Sequence, residues 1–167
     1  MKIFLIGPMG SGKSKIGRIL SEKLSISLFD IDKEIEKDLN MSITEIFASK
    51  GEIFFRNTET DYLIKTKELR DCIVSTGGGV IEEIKNLEFL KKEANVVFLN
   101  CSVESQYENT KNSAKRPLLL TNDPKLTLQT LYEKRFDSYK KVSKLELLSD
   151  SMSNDEIANK IINHFNV

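Results

Sequence analysis

Histidine is almost missing from this chain of 167 residues: His164, three positions from the C-terminus, is the only one. A single terminal imidazole excludes a Ser-His-Asp hydrolase and a His-rich zinc site. Cysteine is nearly as scarce. Cys72 and Cys101 lie far apart, each beside an apolar run, and read as buried reduced thiols of a reducing compartment. Long hydrophobic runs are missing too, for nothing approaches the roughly 20 apolar residues of a membrane span. The N-terminal run Ile3-Phe4-Leu5-Ile6 is too short for a secretion signal and is stopped by Gly7-Pro8. A soluble, cytoplasmic protein with no membrane partner is expected. Net charge is zero, with 25 basic and 25 acidic residues scattered along the chain, so no basic face recommends a nucleic-acid partner.

Arginine is the last scarce residue, with five in all: Arg18, Arg56, Arg70, Arg116 and Arg135. Lysine is the default surface cation here. An arginine therefore stands out, because its rigid fork grips carboxylate and phosphate in a way lysine cannot.

The length suits one compact domain over residues 1–167. Short apolar runs alternate with longer helical patterns. Strands are expected at 3–6, 27–29, 72–75, 94–99 and 145–148. Helices are expected at 13–24, 33–40, 42–49, 51–69, 82–92, 103–111, 127–142 and 155–165. Ser42 with Glu45 three residues on forms a capping box. Strands alternating with helices imply βαβ units, hence an α/β fold with a parallel sheet covered on both faces. In such sheets a ligand sits beyond the carboxyl ends of the strands.

The first of those ends carries Gly7-x-x-x-x-Gly12-Lys13-Ser14, which fits the phosphate-binding pattern G-x-x-x-x-G-K-[ST] in full. An apolar strand precedes it and an amphipathic helix follows. Glycines let the backbone wrap closely around phosphate, with Gly10, Ser11 and Gly12 turning their N–H groups inward. The helix dipole adds positive potential at the same spot. Lys13 would reach the β- and γ-phosphates of ATP, and the Ser14 hydroxyl would ligate Mg²⁺.

Asp30 and Asp32 follow the second strand with one residue between them. If the strand continues, both side chains point into one pocket, one to orient Mg²⁺ and the other to hold or deprotonate an acceptor hydroxyl. If the next helix starts at 33, Asp32 is simply its N-cap. Local sequence leaves both readings open. Gly77-Gly78-Gly79 after the third strand permits close backbone approach to a ligand, and three glycines exceed the needs of a bare turn.

Taken together, these pieces resemble shikimate kinases over nearly the whole chain. The likeness is carried by the phosphate loop, Phe29-Asp30-Ile31-Asp32, Ile46-Phe47, Gly51-Glu52-x-x-Phe55-Arg56, Glu59, Thr76-Gly77-Gly78-Gly79, Arg116-Pro117-Leu118 and Arg135-x-x-x-Tyr139. It implies transfer of the ATP γ-phosphoryl group to the 3-hydroxyl of shikimate, on the route to chorismate and aromatic amino acids. It further implies that Asp32, Arg56, Gly77, Gly78, Gly79 and Arg135 contact shikimate, with both arginines on its carboxylate. Glu59 would hold that side of the pocket, and Phe47 and Phe55 would line it. Arg116 would close over the phosphates from a lid at about 111–123, and a region at about 31–60 would carry the acceptor. Mg²⁺ would be held by Ser14 and, through water, Asp30. Asp32, Lys13 and Arg116 would carry the chemistry, in a monomer with a five-stranded sheet of order 2-3-1-4-5.

This chain departs from the pattern in one respect. Residues 106–111 hold no arginine ahead of the lid, and the loop 149–154 is acidic and polar, so adenine must be held by packing, backbone or Lys111. Arg18 and Arg70 match no ligand position and read as surface residues. The alternatives are a gluconate or nucleoside monophosphate kinase of the same fold, or a nucleotide switch without an acceptor. A nucleotide acceptor calls for a base pocket and several phosphate-binding arginines, and a guanine switch for an N-K-x-D sequence that is not present.

Overall fold

The computed structural model describes residues 1–113 and 116–167. Two residues of the expected lid, Ala114 and Lys115, lie outside the described residues. Five strands, β1 (Lys2–Ile6), β2 (Ser27–Asp30), β3 (Cys72–Ser75), β4 (Val96–Asn100) and β5 (Leu145–Leu148), form one parallel sheet in the order β2-β3-β1-β4-β5. This is the α/β architecture and strand order that the resemblance implies.

The strands can be apolar throughout because both faces of the sheet are covered. Alternate side chains sort the core into two halves. Ile3 and Leu5 of β1 join Val97 and Leu99 of β4 under α1 (Lys13–Leu24) and α7 (Asn154–Phe165). Phe4 and Ile6 join Val96 and Phe98 on the opposite face. That face is covered by α2 (Ile31–Leu39), α3 (Ile43–Lys65), α4 (Ile84–Lys92) and α6 (Pro124–Val142), while α5 (Val103–Thr110) packs on α6.

Several boundaries differ from those read off the sequence, each for a local reason. Helix α2 starts at Ile31, and its cap is Asp30, whose carboxylate accepts from the Lys33 N–H at 3.4 Å. Asp32 therefore lies in the first helical turn and is neither a cap nor a strand residue. The expected helices at 42–49 and 51–69 run on as α3, broken only at Gly51, whose φ of 83° and ψ of 166° are non-helical. The capping box of Ser42 and Glu45 opens α3 as expected. Helix α6 begins three residues early, because Asp123 caps it and Pro124 pre-sets its first turn. Glu82 closes a short 3₁₀ turn, Val80–Glu82, and does not open α4.

Cys72 and Cys101 are buried free thiols. No helix among the described residues is long and apolar enough to cross a membrane.

Candidate active site

The loop between β1 and α1 is shaped by its glycines. Gly12 takes the left-handed conformation, φ 87°, immediately before α1. At Gly7 a Cβ would fall 2.3 Å from the Leu99 carbonyl oxygen, so no side chain fits between this loop and β4. Lys13 Nζ turns back into the loop and donates to the carbonyls of Gly7 and Pro8, both at 2.7 Å. Burial, aided by the Arg116 charge and opposed by Asp32 and Asp30, lowers the Lys13 pKa to about 8. The loop forms one wall of a cavity of about 620 Å³, to which Gly10, Ser11, Gly12, Lys13 and Ser14 all contribute.

Parallel register brings the ends of β1, β2 and β3 level, with Asp30 opposite Ser75 and Ser75 opposite Leu5. The Ser14 hydroxyl, on the first turn of α1, donates to Asp30 Oδ2 at 2.6 Å and lies 3.4 Å from Ser75 Oγ. Two hard oxygen donors at the phosphate loop fit Mg²⁺, which binds through few protein ligands and keeps much of its water. Among the described residues no group of three or more His, Cys, Asp or Glu is arranged to hold a metal ion.

A second, smaller cavity of about 50 Å³ adjoins the first. Its lining includes Asp32, Phe47, Phe55, Arg56, Glu59, Gly77, Gly78, Gly79, Arg116 and Arg135. Every acceptor-binding residue expected from the sequence is thus gathered at one place, from α2, α3, the loop after β3 and α6. Asp32, Gly78 and Arg116 line both cavities and mark where they meet.

Charge is dense here. The Arg56 guanidinium donates from Nε and Nη2 to Glu52 Oε1, at 3.3 and 3.1 Å, and from Nη1 to Glu59 Oε2 at 2.8 Å. Arg135 is held by Glu82 in the same manner, through Nε at 2.7 Å and through Nη2. Burial raises the Asp32 pKa, with the Asp30 charge adding to it, against the pull of Arg116, Lys13 and Arg56. Burial likewise pushes Glu59 up to about 7 in spite of its ion pair with Arg56. Asp32 Oδ1 and Glu59 Oε1 are both buried without a hydrogen-bond partner among the described residues. For such an oxygen, protonation or a ligand donor relieves a desolvation cost on the order of 1–3 kcal/mol.

The three glycines have separate tasks. A Cβ on Gly77 would strike Glu59 Oε1 at 2.2 Å and approach Asp32 Oδ1 to 3.0 Å. On Gly78 it would press on the Met9 amide at 3.2 Å, and on Gly79 it would enter the Arg56 guanidinium at 2.4 Å. The tripeptide thus leaves room for the protein's own charged side chains and phosphate loop while lining the smaller cavity.

Two sequence readings change. Lys111 does not reach the large cavity: it is exposed and its ammonium pairs with Glu108 one turn back. Arg18, read as a surface residue, is exposed but also lines that cavity, because α1 points its N-terminal end there and a long side chain one turn on reaches the rim. Two further residues had no assigned role. Asn109 donates to the Gly10 carbonyl at 2.9 Å, tying α5 to the phosphate loop. Tyr139 stacks on Phe98, with centroids 4.9 Å apart, and its hydroxyl donates to the Gly78 carbonyl. The spacing Arg135-x-x-x-Tyr139 was the signal, since residues four apart share a helix face.

A parallel sheet of order 2-3-1-4-5 with a G-x-x-x-x-G-K-S loop after its central strand is a P-loop kinase fold. The family model described as shikimate kinase matches residues 9–166. The shikimate kinase of Marinomonas sp. (strain MWYL1) is 40% identical over 162 residues, covering 96% of this chain and 89% of that protein. The shikimate kinase of Psychromonas ingrahamii is 39% identical over 160 residues, 96% of this chain and 94% of that one. Among solved structures, shikimate kinase from Acinetobacter baumannii in complex with shikimate superposes with a TM-score of 0.95 at 35% identity, covering 98% of this chain and 92% of that one. The chain belongs to the shikimate kinase family, whose members are ATP-dependent phosphotransferases.

Proposed function

We propose that this chain transfers the γ-phosphoryl group of ATP to the 3-hydroxyl of shikimate, giving shikimate 3-phosphate and ADP, with the triphosphate in the larger cavity and shikimate in the smaller. The observation that carries this reading is the meeting of the two cavities at Asp32, Gly78 and Arg116. A transferred group must cross from one ligand to the other at such a junction, and an acid and a cation stand there.

In this reading Arg56 and Arg135 take the shikimate carboxylate, which fixes the ring and directs one hydroxyl toward Asp32. Asp32 Oδ1, buried and without a partner among the described residues, accepts the hydrogen bond of that hydroxyl and, as the O–P bond forms, its proton. Its raised pKa suits the task, because a carboxylate that holds a proton more firmly is a better base. Lys13 and Arg116 offset charge on the phosphoryl oxygens, and most of the rate gain comes from positioning and from such charge neutralisation. Mg²⁺, held by Ser14 and, through water, by Asp30, supplies further neutralisation of the phosphates when bound. The segment 111–123 acts as a lid over this junction and Arg116 is its functional side chain, within a single kinase domain spanning 1–167.

The test is ADP release from Mg-ATP with shikimate, gluconate, other polyols and nucleoside monophosphates as acceptors. Turnover stimulated by shikimate alone is expected. Preference for a nucleotide or for gluconate would overturn the acceptor assignment.

A further inference from the structure

Arg135 is buried in α6, with a side chain only 3% exposed, and such a guanidinium needs a fixed anionic partner. Glu82 is that partner. Its Oε1 accepts from both Nε and Nη2 of Arg135, while its Oε2 accepts from the exposed Lys134 at 2.5 Å. Burial alone would raise the Glu82 pKa, yet the hydrogen bonds and charges of Lys134 and Arg135 prevail and lower it, so the carboxylate stays ionised at neutral pH. One edge of the Arg135 fork is thereby occupied. Its Nη1 has no hydrogen-bond partner among the described residues, and the residue lines the smaller cavity.

The backbone adds a second constraint. The Glu82 amide donates to the Gly79 carbonyl at 2.9 Å, closing the 3₁₀ turn that starts at Val80. Gly79 itself abuts the Arg56 guanidinium. One short turn therefore touches Arg56 at its first end and grips Arg135 at its last, and sets the spacing between the two guanidinium groups.

We propose that Glu82 is a positioning residue for the acceptor's carboxylate, holding the Nε–Nη2 edge of Arg135 so that Nη1 is turned to the cavity it shares with Arg56. The proposal rests on the reading that Arg135 binds that carboxylate. Glu82 does not touch the substrate. It removes the rotamer freedom of a long side chain before binding, so that less entropy is lost when the ligand arrives. Lys134 balances the second carboxylate oxygen from the solvent side.

Steady-state kinetics of Glu82→Ala, Glu82→Gln and Arg135→Lys test this. Glu82→Ala is expected to raise KM for shikimate about tenfold with kcat and KM for ATP within about twofold of the parent. Glu82→Gln, whose amide oxygen still accepts from Nε, is expected to fall between the two. With a shikimate analogue whose carboxylate is replaced by a neutral hydroxymethyl group, Glu82→Ala and the parent should have equal KM. An unchanged or lowered shikimate KM in Glu82→Ala, or an equal rise with the neutral analogue, overturns positioning while a raised KM in Arg135→Lys preserves the carboxylate reading. If Arg135→Lys is itself without effect on shikimate KM, that reading fails and the role of Glu82 falls with it.

Discussion

Gly79 lies directly against the guanidinium of Arg56: a Cβ built on it would sit 2.4 Å from Cζ and Nη1 and 2.5 Å from Nη2. Arg56 cannot simply retreat, because Glu52 and Glu59 hold it from two sides. Gly79→Ala must therefore displace a group assigned to the substrate carboxylate. Shikimate KM is expected to rise at least about tenfold with little change in KM for ATP. Equal effects on both substrates would show a general distortion and not loss of the arginine fork.

Tyr139 gives a stability test close to the same loop. Its buried hydroxyl donates to the carbonyl of the half-buried Gly78, and its ring stacks on Phe98. Tyr139→Phe keeps the stack and removes a hydrogen bond at a half-buried carbonyl, which costs about 0.5–1.5 kcal/mol. At roughly 2–4 °C per kcal/mol for a chain of this size, thermal denaturation should show a clear drop in Tm. An unchanged Tm would show that this hydrogen bond contributes nothing to folding.

Lys13 supports both loop and chemistry. Removing a preorganised positive donor from a developing phosphoryl charge costs roughly two to three orders of magnitude in kcat. Lys13→Ala is expected to lose that much while keeping its circular dichroism spectrum and a cooperative melt. Activity within tenfold of the parent would contradict its assignment.

Glu59 predicts a pH dependence of stability. Its folded-state pKa, pushed up to about 7 from the usual 4.5, means the native protein holds this proton more tightly than the unfolded chain. The stabilising contribution is complete below about pH 4.5 and is lost as pH rises to about 7. Glu59→Gln cannot titrate. The stability of the parent relative to Glu59→Gln, from urea unfolding, should therefore fall between pH 4.5 and 7 and level off above it. A pH-independent difference would refute the raised pKa.

Much of this was legible in the sequence because it is local. The phosphate loop is eight contiguous residues, and strand, glycines, lysine and helix start are dictated by backbone sterics and period alone. The capping box at Ser42 is equally local. The order of motifs shared with the family extends that reach, for it associates residues as far apart as Asp32 and Arg135. Boundaries were less legible where two local rules compete. Whether Asp32 continues the strand or caps the next helix turned on where β2 ends, which is set by its pairing with β3.

By itself, then, the sequence determined the class of fold and the phosphate loop, which depend on neighbours in the chain or on a recurring pattern, and through its family resemblance the set of side chains that face one another beyond the strands. The tertiary structure alone decided that Glu82 holds Arg135 across 53 positions, that Gly79 abuts Arg56 and that Lys111 turns away while Arg18 reaches the cavity. Those relations depend on how separate elements pack. A charged side chain's partner is chosen by distance in space, and distance in space is fixed only when the sheet and its helices have assembled.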